Sequence, residues 1–224
     1  MNGGRERTRP VPPALYAIAD AAALGERPLP AAVGAMADAG VRWIQLRPKP
    51  RPPAPRFSDR RLHALHAESL AAIAGSAAVL WVDDRADLAA LFAVAGLHLG
   101  QRDLPPAAAR AVVGEGKWIG CSTHDEGELA AAVEDPEVDL VAVGPVYATG
   151  GKERPSPPVG LDFVRRARRA TIKPLVAIGG IDESNLAAVL DAGADSVAVL
   201  GAACRGDVRA SCERLLAAVE AAGA

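Results

Sequence analysis

The sequence predicts an α/β fold, specifically a (β/α)8 or TIM barrel, and three observations carry that expectation. Eight short apolar runs alternate with longer Ala/Leu-rich amphipathic stretches. The runs are nearly continuous in hydrophobicity, as expected of parallel strands covered on both faces. Eight such repeats in roughly 210 residues also fit the length of this barrel. An open doubly wound sheet is the structural alternative. However, no G-x-G-x-x-G follows the first run and no Walker sequence occurs anywhere, so a dinucleotide or nucleoside triphosphate fold has little support.

The first run is Ala14-Leu-Tyr-Ala-Ile18, and the second Val41-Arg-Trp-Ile-Gln-Leu46. Ala78-Val-Leu-Trp-Val82, Gly96-Leu-His-Leu99 and Lys117-Trp-Ile-Gly-Cys121 give strands three to five. Val138-Asp-Leu-Val-Ala-Val143, Pro174-Leu-Val-Ala-Ile178 and Ser196-Val-Ala-Val-Leu200 complete the set. Helical stretches between them include 58–74, 125–133, 182–191 and 207–221. Ser58, Asp125, Asp182 and Asp207 stand where helix N-caps are wanted, their side-chain oxygens able to accept from free backbone N–H groups. Gly40, Gly96 and Gly193 each follow a helical stretch just before a strand, where glycine takes the left-handed conformation at no steric cost.

At 224 residues and half hydrophobic, the chain can bury a full core. Residues 1–13 are polar and Pro-rich without an apolar segment, which predicts a disordered tail ahead of a single barrel domain over 14–224. A net charge of -2 gives no footprint for nucleic acid or an anionic membrane. No apolar run approaches the roughly 20 residues needed to cross a bilayer. The three cysteines lack C-x-x-C spacing, and they read as reduced thiols of a cytoplasmic protein.

In this barrel, chemistry gathers at the C-terminal ends of the strands, so the residues just after each run matter most. After the second run, period-two spacing places Gln45, Arg47 and Lys49 on one side of an extended segment. Arg can grip phosphate oxygens with two donors and Lys adds a mobile charge. A solvated basic loop is the alternative, since Arg51, Arg56, Arg60 and Arg61 follow. After the third and fourth runs come Asp83-Asp84 and Gln101-Arg-Asp103. Mg²⁺ takes a few carboxylates and completes its shell with water and substrate phosphate. Alternatively, Asp84 caps a helix over 86–90 and Asp103 caps one starting near Pro105.

After the fifth run, Ser122 and His124 could suggest a nucleophile and base, but no G-x-S-x-G elbow is present. A hydroxyl donating to substrate is the favoured role for Ser122. The histidines at 63, 66 and 98 read as structural. The Gly/Pro-rich loop after the sixth run carries Thr149, Gly151 and Lys152 and fits a lid, with a plain surface loop as the alternative. Gly179-Gly180 and Leu200-Gly201 follow the last two runs, where backbone N–H groups can close around a phosphate.

These motifs together resemble the thiamine phosphate synthase family over nearly the whole chain. The most specific stretches are Gln45-Leu-Arg-Pro-Lys49, Asp83-Asp-Arg-Ala-Asp-Leu88, His98-Leu-Gly-Gln-Arg-Asp-Leu-Pro105, Gly144-Pro-Val-Tyr-Ala-Thr149 and Val176-Ala-Ile-Gly-Gly-Ile181. The resemblance implies an Mg²⁺-dependent transferase for two small phosphorylated substrates. It would join 4-amino-5-hydroxymethyl-2-methylpyrimidine diphosphate to 4-methyl-5-(2-hydroxyethyl)thiazole phosphate, releasing pyrophosphate. It implies Mg²⁺ on Asp84 and Asp103, the diphosphate near Gln45, Arg47, Lys49 and Lys152, and Ser122 beside the pyrimidine. Thr149, Gly180 and the Leu200-Gly201 backbone would hold the thiazole phosphate. A homo-oligomer is compatible with the sequence.

Two positions depart from the family pattern. Asp83 stands where an asparagine is usual, and an ionised carboxylate cannot donate to a diphosphate. Gly151 stands where the lid usually has a threonine, leaving successive glycine N–H groups to form an anion nest. Two other functions fit the same fold: a metal-independent thiazole tautomerase using His124 as acid/base, and a non-catalytic barrel that binds a phosphorylated ligand.

Overall fold

The structure is a computed structural model that describes residues 11–149 and 157–223. Most of the expected tail (residues 1–10), Gly151 and Lys152 lie outside the described residues. The elements run β1 (Leu15–Asp20), α1 (Ala21–Leu24), α2 (Leu29–Asp38), β2 (Trp43–Arg47), α3 (Asp59–Ala72), β3 (Val79–Asp83), α4 (Ala86–Leu91) and β4 (Gly96–Leu99). They continue α5 (Pro106–Val113), β5 (Trp118–Thr123), α6 (Glu126–Glu134), β6 (Leu140–Val143), α7 (Gly160–Ala170), β7 (Leu175–Ile178), α8 (Leu186–Asp191), β8 (Ser196–Val199) and α9 (Val208–Ala221). The strands pair in parallel, each with the next, and β8 closes on β1.

Every apolar run becomes a strand, but four strands extend past the apolar residues to Asp20, Arg47, Asp83 and Thr123. Polar residues can continue the ladder there because neighbouring strands still shield their backbones; Asp20 pairs with Arg47 and Asp83 with His98.

Side chains alternate about the barrel wall. Those facing outward join the helices in the larger core, for example Leu15, Ile44, Val82 and Val197. Those facing inward form a second cluster including Tyr16, Trp43, Trp81, Leu140 and Val176. Its aromatic members stack on one another: Trp43 and Trp81 ring centres are 4.8 Å apart, and Tyr16 meets Trp43 edge-on at 5.6 Å. Such pairs contribute about 0.5–1.5 kcal/mol each beyond area burial. They fill the barrel interior below the polar C-terminal mouth. A Cβ on Gly96 would lie 2.5 Å from the Trp118 carbonyl and 2.6 Å from the Trp81 ring. Gly96 is therefore the small first residue of β4 that admits these rings, not a helix-ending residue. Gly40 and Gly193 do have the expected positive φ, at 100° and 104°.

Ser58, Asp125 and Asp207 cap α3, α6 and α9, accepting from Arg61, Glu128 and Ala210 N–H groups. Asp182 does not cap α8. It accepts from the Ser184 N–H in the preceding turn, and the cap residue is Asn185. No helix among the described residues is long and apolar enough to cross a membrane.

Candidate functional site

The mouth of the barrel collects the polar ends of β1 to β5. Period-two alternation turns Asp20 of β1, Gln45 and Arg47 of β2, Asp83 of β3, His98 of β4 and Ser122 of β5 toward the interior. Asp20, Gln45 and Asp83 are buried there. Arg47 is ion-paired to Asp20, and its Nε lies 3.9 Å from Asp83 Oδ2. Lys49, two residues past β2, places Nζ 2.7 Å from Asp83 Oδ2 and also contacts Asp84. Burial opposes the charge on both cations, but the carboxylates around them outweigh it and raise their pKa values. Gln45 Nε2 donates to the Tyr16 hydroxyl at 3.1 Å deeper in the barrel.

Asp84 and Asp103 approach each other across neighbouring strand ends. Neither caps a helix: the residues preceding α4 and α5 are Arg85 and Pro105. Asp84 has φ 61°, the one non-glycine with positive φ among the described residues. Such a conformation costs about 1 kcal/mol or more and persists where surroundings enforce it, often at functional sites. Asp103 Oδ2 accepts from the Gly100 N–H at 2.7 Å, which pins its carboxylate over the β4 end. Burial raises the Asp103 pKa, and the Asp84 carboxylate raises it further, as two like charges sharing one space require. Asp83 is pushed up to about 6, chiefly by burial, with Lys49 and Arg47 opposing and Asp84 adding to the shift.

This donor set fits one Mg²⁺ ion. Two acceptor-only carboxylates converge at an open rim, and no group of three His, Cys, Asp or Glu side chains with metal-ligand geometry occurs among the described residues. The remaining positions of such an ion would fall to water and a phosphorylated substrate, as Mg²⁺ prefers.

Ser122 ends the inward row of β5. Its Oγ shares a hydrogen bond of 2.8 Å with His98 Nε2, and its carbonyl accepts from Gln101 Nε2 at 2.7 Å. His98, read from sequence as structural, thus belongs to the mouth. Its ring packs over Gly120, where a Cβ would come within 2.7 Å of Nδ1. Period-two spacing from Gly96 was the available signal. His124 turns to its own helix, with Nδ1 2.8 Å from Glu128 Oε2. His63 and His66 stack on Phe92 away from the mouth, as read.

On the far rim, Gly179 and Gly180 have φ 103° and 66°. A Cβ on Gly180 would lie 2.7 Å from both Ala148 O and Tyr147 Cβ, so only glycine fits between β7 and the loop leading to Thr149. Asn185 Nδ2 donates to the Gly180 carbonyl at 2.9 Å, which holds the turn in place. Leu200 packs on the inner cluster, and Gly201 is exposed with open space around its Cα. Two surface clefts elsewhere bring together no comparable set of charges. The larger, about 380 Å³, lies at the opposite end beside Arg42, Trp43 and Val79, and the other runs along α6.

A family model described as thiamine monophosphate synthase matches residues 15–203. A thiamine-phosphate synthase of Koribacter versatilis is 43% identical over 192 residues, covering 84% of this chain and 87% of its own. One of Mycobacterium sp. strain KMS is 42% identical over 227 residues, covering 94% and 96%. A solved thiamine phosphate pyrophosphorylase from Pyrococcus furiosus superposes with a TM-score of 0.79 at 29% identity, over 93% of this chain and 96% of that one.

Proposed function

The chain belongs to the thiamine monophosphate synthase family and acts as a thiamine-phosphate synthase on pyrimidine and thiazole substrates, and from that premise we propose how its mouth divides the work. Asp84 and Asp103 hold Mg²⁺. Arg47 and Lys49 grip the diphosphate of the pyrimidine substrate, with Gln45 at the ring end and Lys152 and Gly151 contributed by the loop after β6. Ser122, its hydroxyl held by His98, lies against the pyrimidine. Thr149, Gly180 and the backbone at Leu200-Gly201 receive the thiazole phosphate. The observation that carries this reading is the convergence of two carboxylates from adjacent strand ends beside two buried-stem cations.

The chemistry asks little covalent work of the protein. The C–O bond between the pyrimidine methylene and the diphosphate breaks, and its electron pair leaves with pyrophosphate. The thiazole nitrogen then forms the new C–N bond to that methylene. Bound Mg²⁺ supplies charge neutralisation to the leaving group. Arg47, with a largely buried side chain, and Lys49, partly exposed at the rim, already stand together at the mouth, so they stabilise the growing negative charge. Opposed phosphate sites hold the thiazole nitrogen near the methylene carbon, which removes the need for a protein nucleophile. Asp83 cannot donate to the diphosphate. Its role is to keep Lys49 and Arg47 oriented when no substrate is present.

The tautomerase and the non-catalytic barrel are not favoured: the curated relatives are synthases, and His124 is engaged by Glu128. The test is a two-substrate assay that measures thiamine phosphate and pyrophosphate. Both products should form in a one-to-one ratio with Mg²⁺ and vanish on chelation or in Asp84→Ala. Full turnover in that variant with the metal chelated would refute the metal assignment.

A further inference from the structure

We propose that the Pro/Arg-rich segment between β2 and α3 is an outer anion station, which captures the diphosphate substrate at the rim before it reaches Arg47 and Lys49. Both feet of this segment are tied to residues 83–85, where β3 ends and the turn into α4 begins. At its start, Lys49 contacts Asp83 and Asp84; at its end, Asp59 pairs with Arg85 at 2.9 Å. Phe57 adds a third attachment by packing on the main core. Residues 48–58 therefore form an arch whose two ends are both tied to residues 83–85. Five prolines, at 48, 50, 52, 53 and 55, restrict its backbone. Arg51 and Arg56 sit on this arch exposed, and among the described residues neither has a carboxylate partner. By contrast, the nearby Arg61 and Arg85 are neutralised by Glu68 and by Asp59 and Asp87.

The inner site explains why outer cations are useful. Among the described residues, four carboxylates, Asp20, Asp83, Asp84 and Asp103, crowd around the inner cations Arg47 and Lys49. An approaching diphosphate ester meets a field that is net repulsive until its own metal is seated. Two guanidiniums with no carboxylate partner among the described residues, carried on a proline-stiffened arch beside the rim, can reverse that field locally over about one Debye length at moderate salt. Arg also presents the paired donors that suit a phosphate. A flexible linker would not hold these charges over the mouth.

This inference rests on the proposed diphosphate site, and the experiment separates the two. The double variant Arg51→Ser/Arg56→Ser and the single variant Arg47→Ala are assayed with the pyrimidine diphosphate as varied substrate, from low to high salt. The arch predicts an unchanged kcat in the double variant. It also predicts a fall in kcat/KM of about three- to tenfold at low salt that disappears at high salt. Charge reversal, Arg51→Glu/Arg56→Glu, should deepen the low-salt loss with the same kcat. The proposal is overturned if the double variant keeps its kcat/KM at low salt, if kcat falls, or if salt does not erase the loss. Should Arg47→Ala retain full kcat and kcat/KM, the inner site is wrong; a crippled Arg47→Ala beside an inert arch variant sinks the arch alone.

Discussion

The two ends of this barrel both bury cations, yet they satisfy them in opposite ways. At the N-terminal end, Arg110 donates to Asp139 at 2.7 Å, to Glu137, and to the carbonyls of Gly114 and Lys117 at 2.9 and 2.5 Å. Lys117 Nζ donates to the Phe92 and Val94 carbonyls, and Lys173 Nζ to those of Ala132 and Asp135. Asp139 and Asp195 in turn accept from the Ile119 and Leu175 N–H groups. At the C-terminal end, among the described residues, the side chains of Arg47 and Lys49 pair with the carboxylates of Asp20, Asp83 and Asp84. Backbone carbonyls cannot be exchanged for a ligand, whereas side-chain partners can. One end is therefore held by partners that cannot leave; on the proposed function, the other would trade its partners for metal and phosphate, the usual division of this fold.

Breaking each end should have separable consequences. The largest effect is expected at the bottom: Arg110→Ala leaves Asp139 buried without its cation and should cost about 3–5 kcal/mol of stability. Denaturant unfolding checks this, and kcat per folded molecule should be unchanged. Next is Asp103→Ala at the mouth, which should lower kcat by about 10²–10³-fold at saturating Mg²⁺. Its thermal midpoint should hold or rise, because a crowded carboxylate has gone.

A smaller effect sharpens the contrast through pH. The Asp83 carboxyl is raised from 3.8 to about 6 by burial above all. A raised carboxyl contributes stability below its unfolded pKa that is lost as pH rises through the folded value. Asp83→Asn should therefore stabilise the metal-free protein little near pH 4, and by about 1–3 kcal/mol above pH 6. Thermal midpoints across that range test the sign, and a gain that is largest at pH 4 contradicts it. The smallest effect is Ser122→Ala, which removes one hydroxyl contact. It should raise KM for the pyrimidine substrate about fivefold and leave that of the thiazole untouched. A matching rise for both substrates would place Ser122 elsewhere.

Much of this division was legible in the amino-acid order. Eight apolar runs became eight strands, and the Asp84/Asp103 pair stood out beside Arg47 and Lys49. What stayed hidden was polar and inward-facing. Asp20 closes the row Tyr16, Ile18, Asp20, but an apolar run ends at its first charge, so the strand was cut short of it. His98 looked structural because a lone histidine in a strand does not reveal which face it takes until register with Asp83 is known. The bottom network was equally silent. Arg110 lies on α5 and Asp139 just before β6, and only the closed barrel brings them within 2.7 Å. The basic loop after Lys49 was visible as composition, but that both its feet rest on residues 83–85 depends on Asp59 meeting Arg85.

The central claim is that Asp84 and Asp103 form the metal half of an exchangeable mouth. The most direct test is the Mg²⁺ concentration giving half-maximal pyrophosphate release, compared between the native enzyme and Asp103→Asn. The substitution keeps side-chain size while removing one charged ligand, so half-saturation should move up at least about tenfold. An unchanged Mg²⁺ dependence, or turnover that survives a chelator, would contradict the assignment.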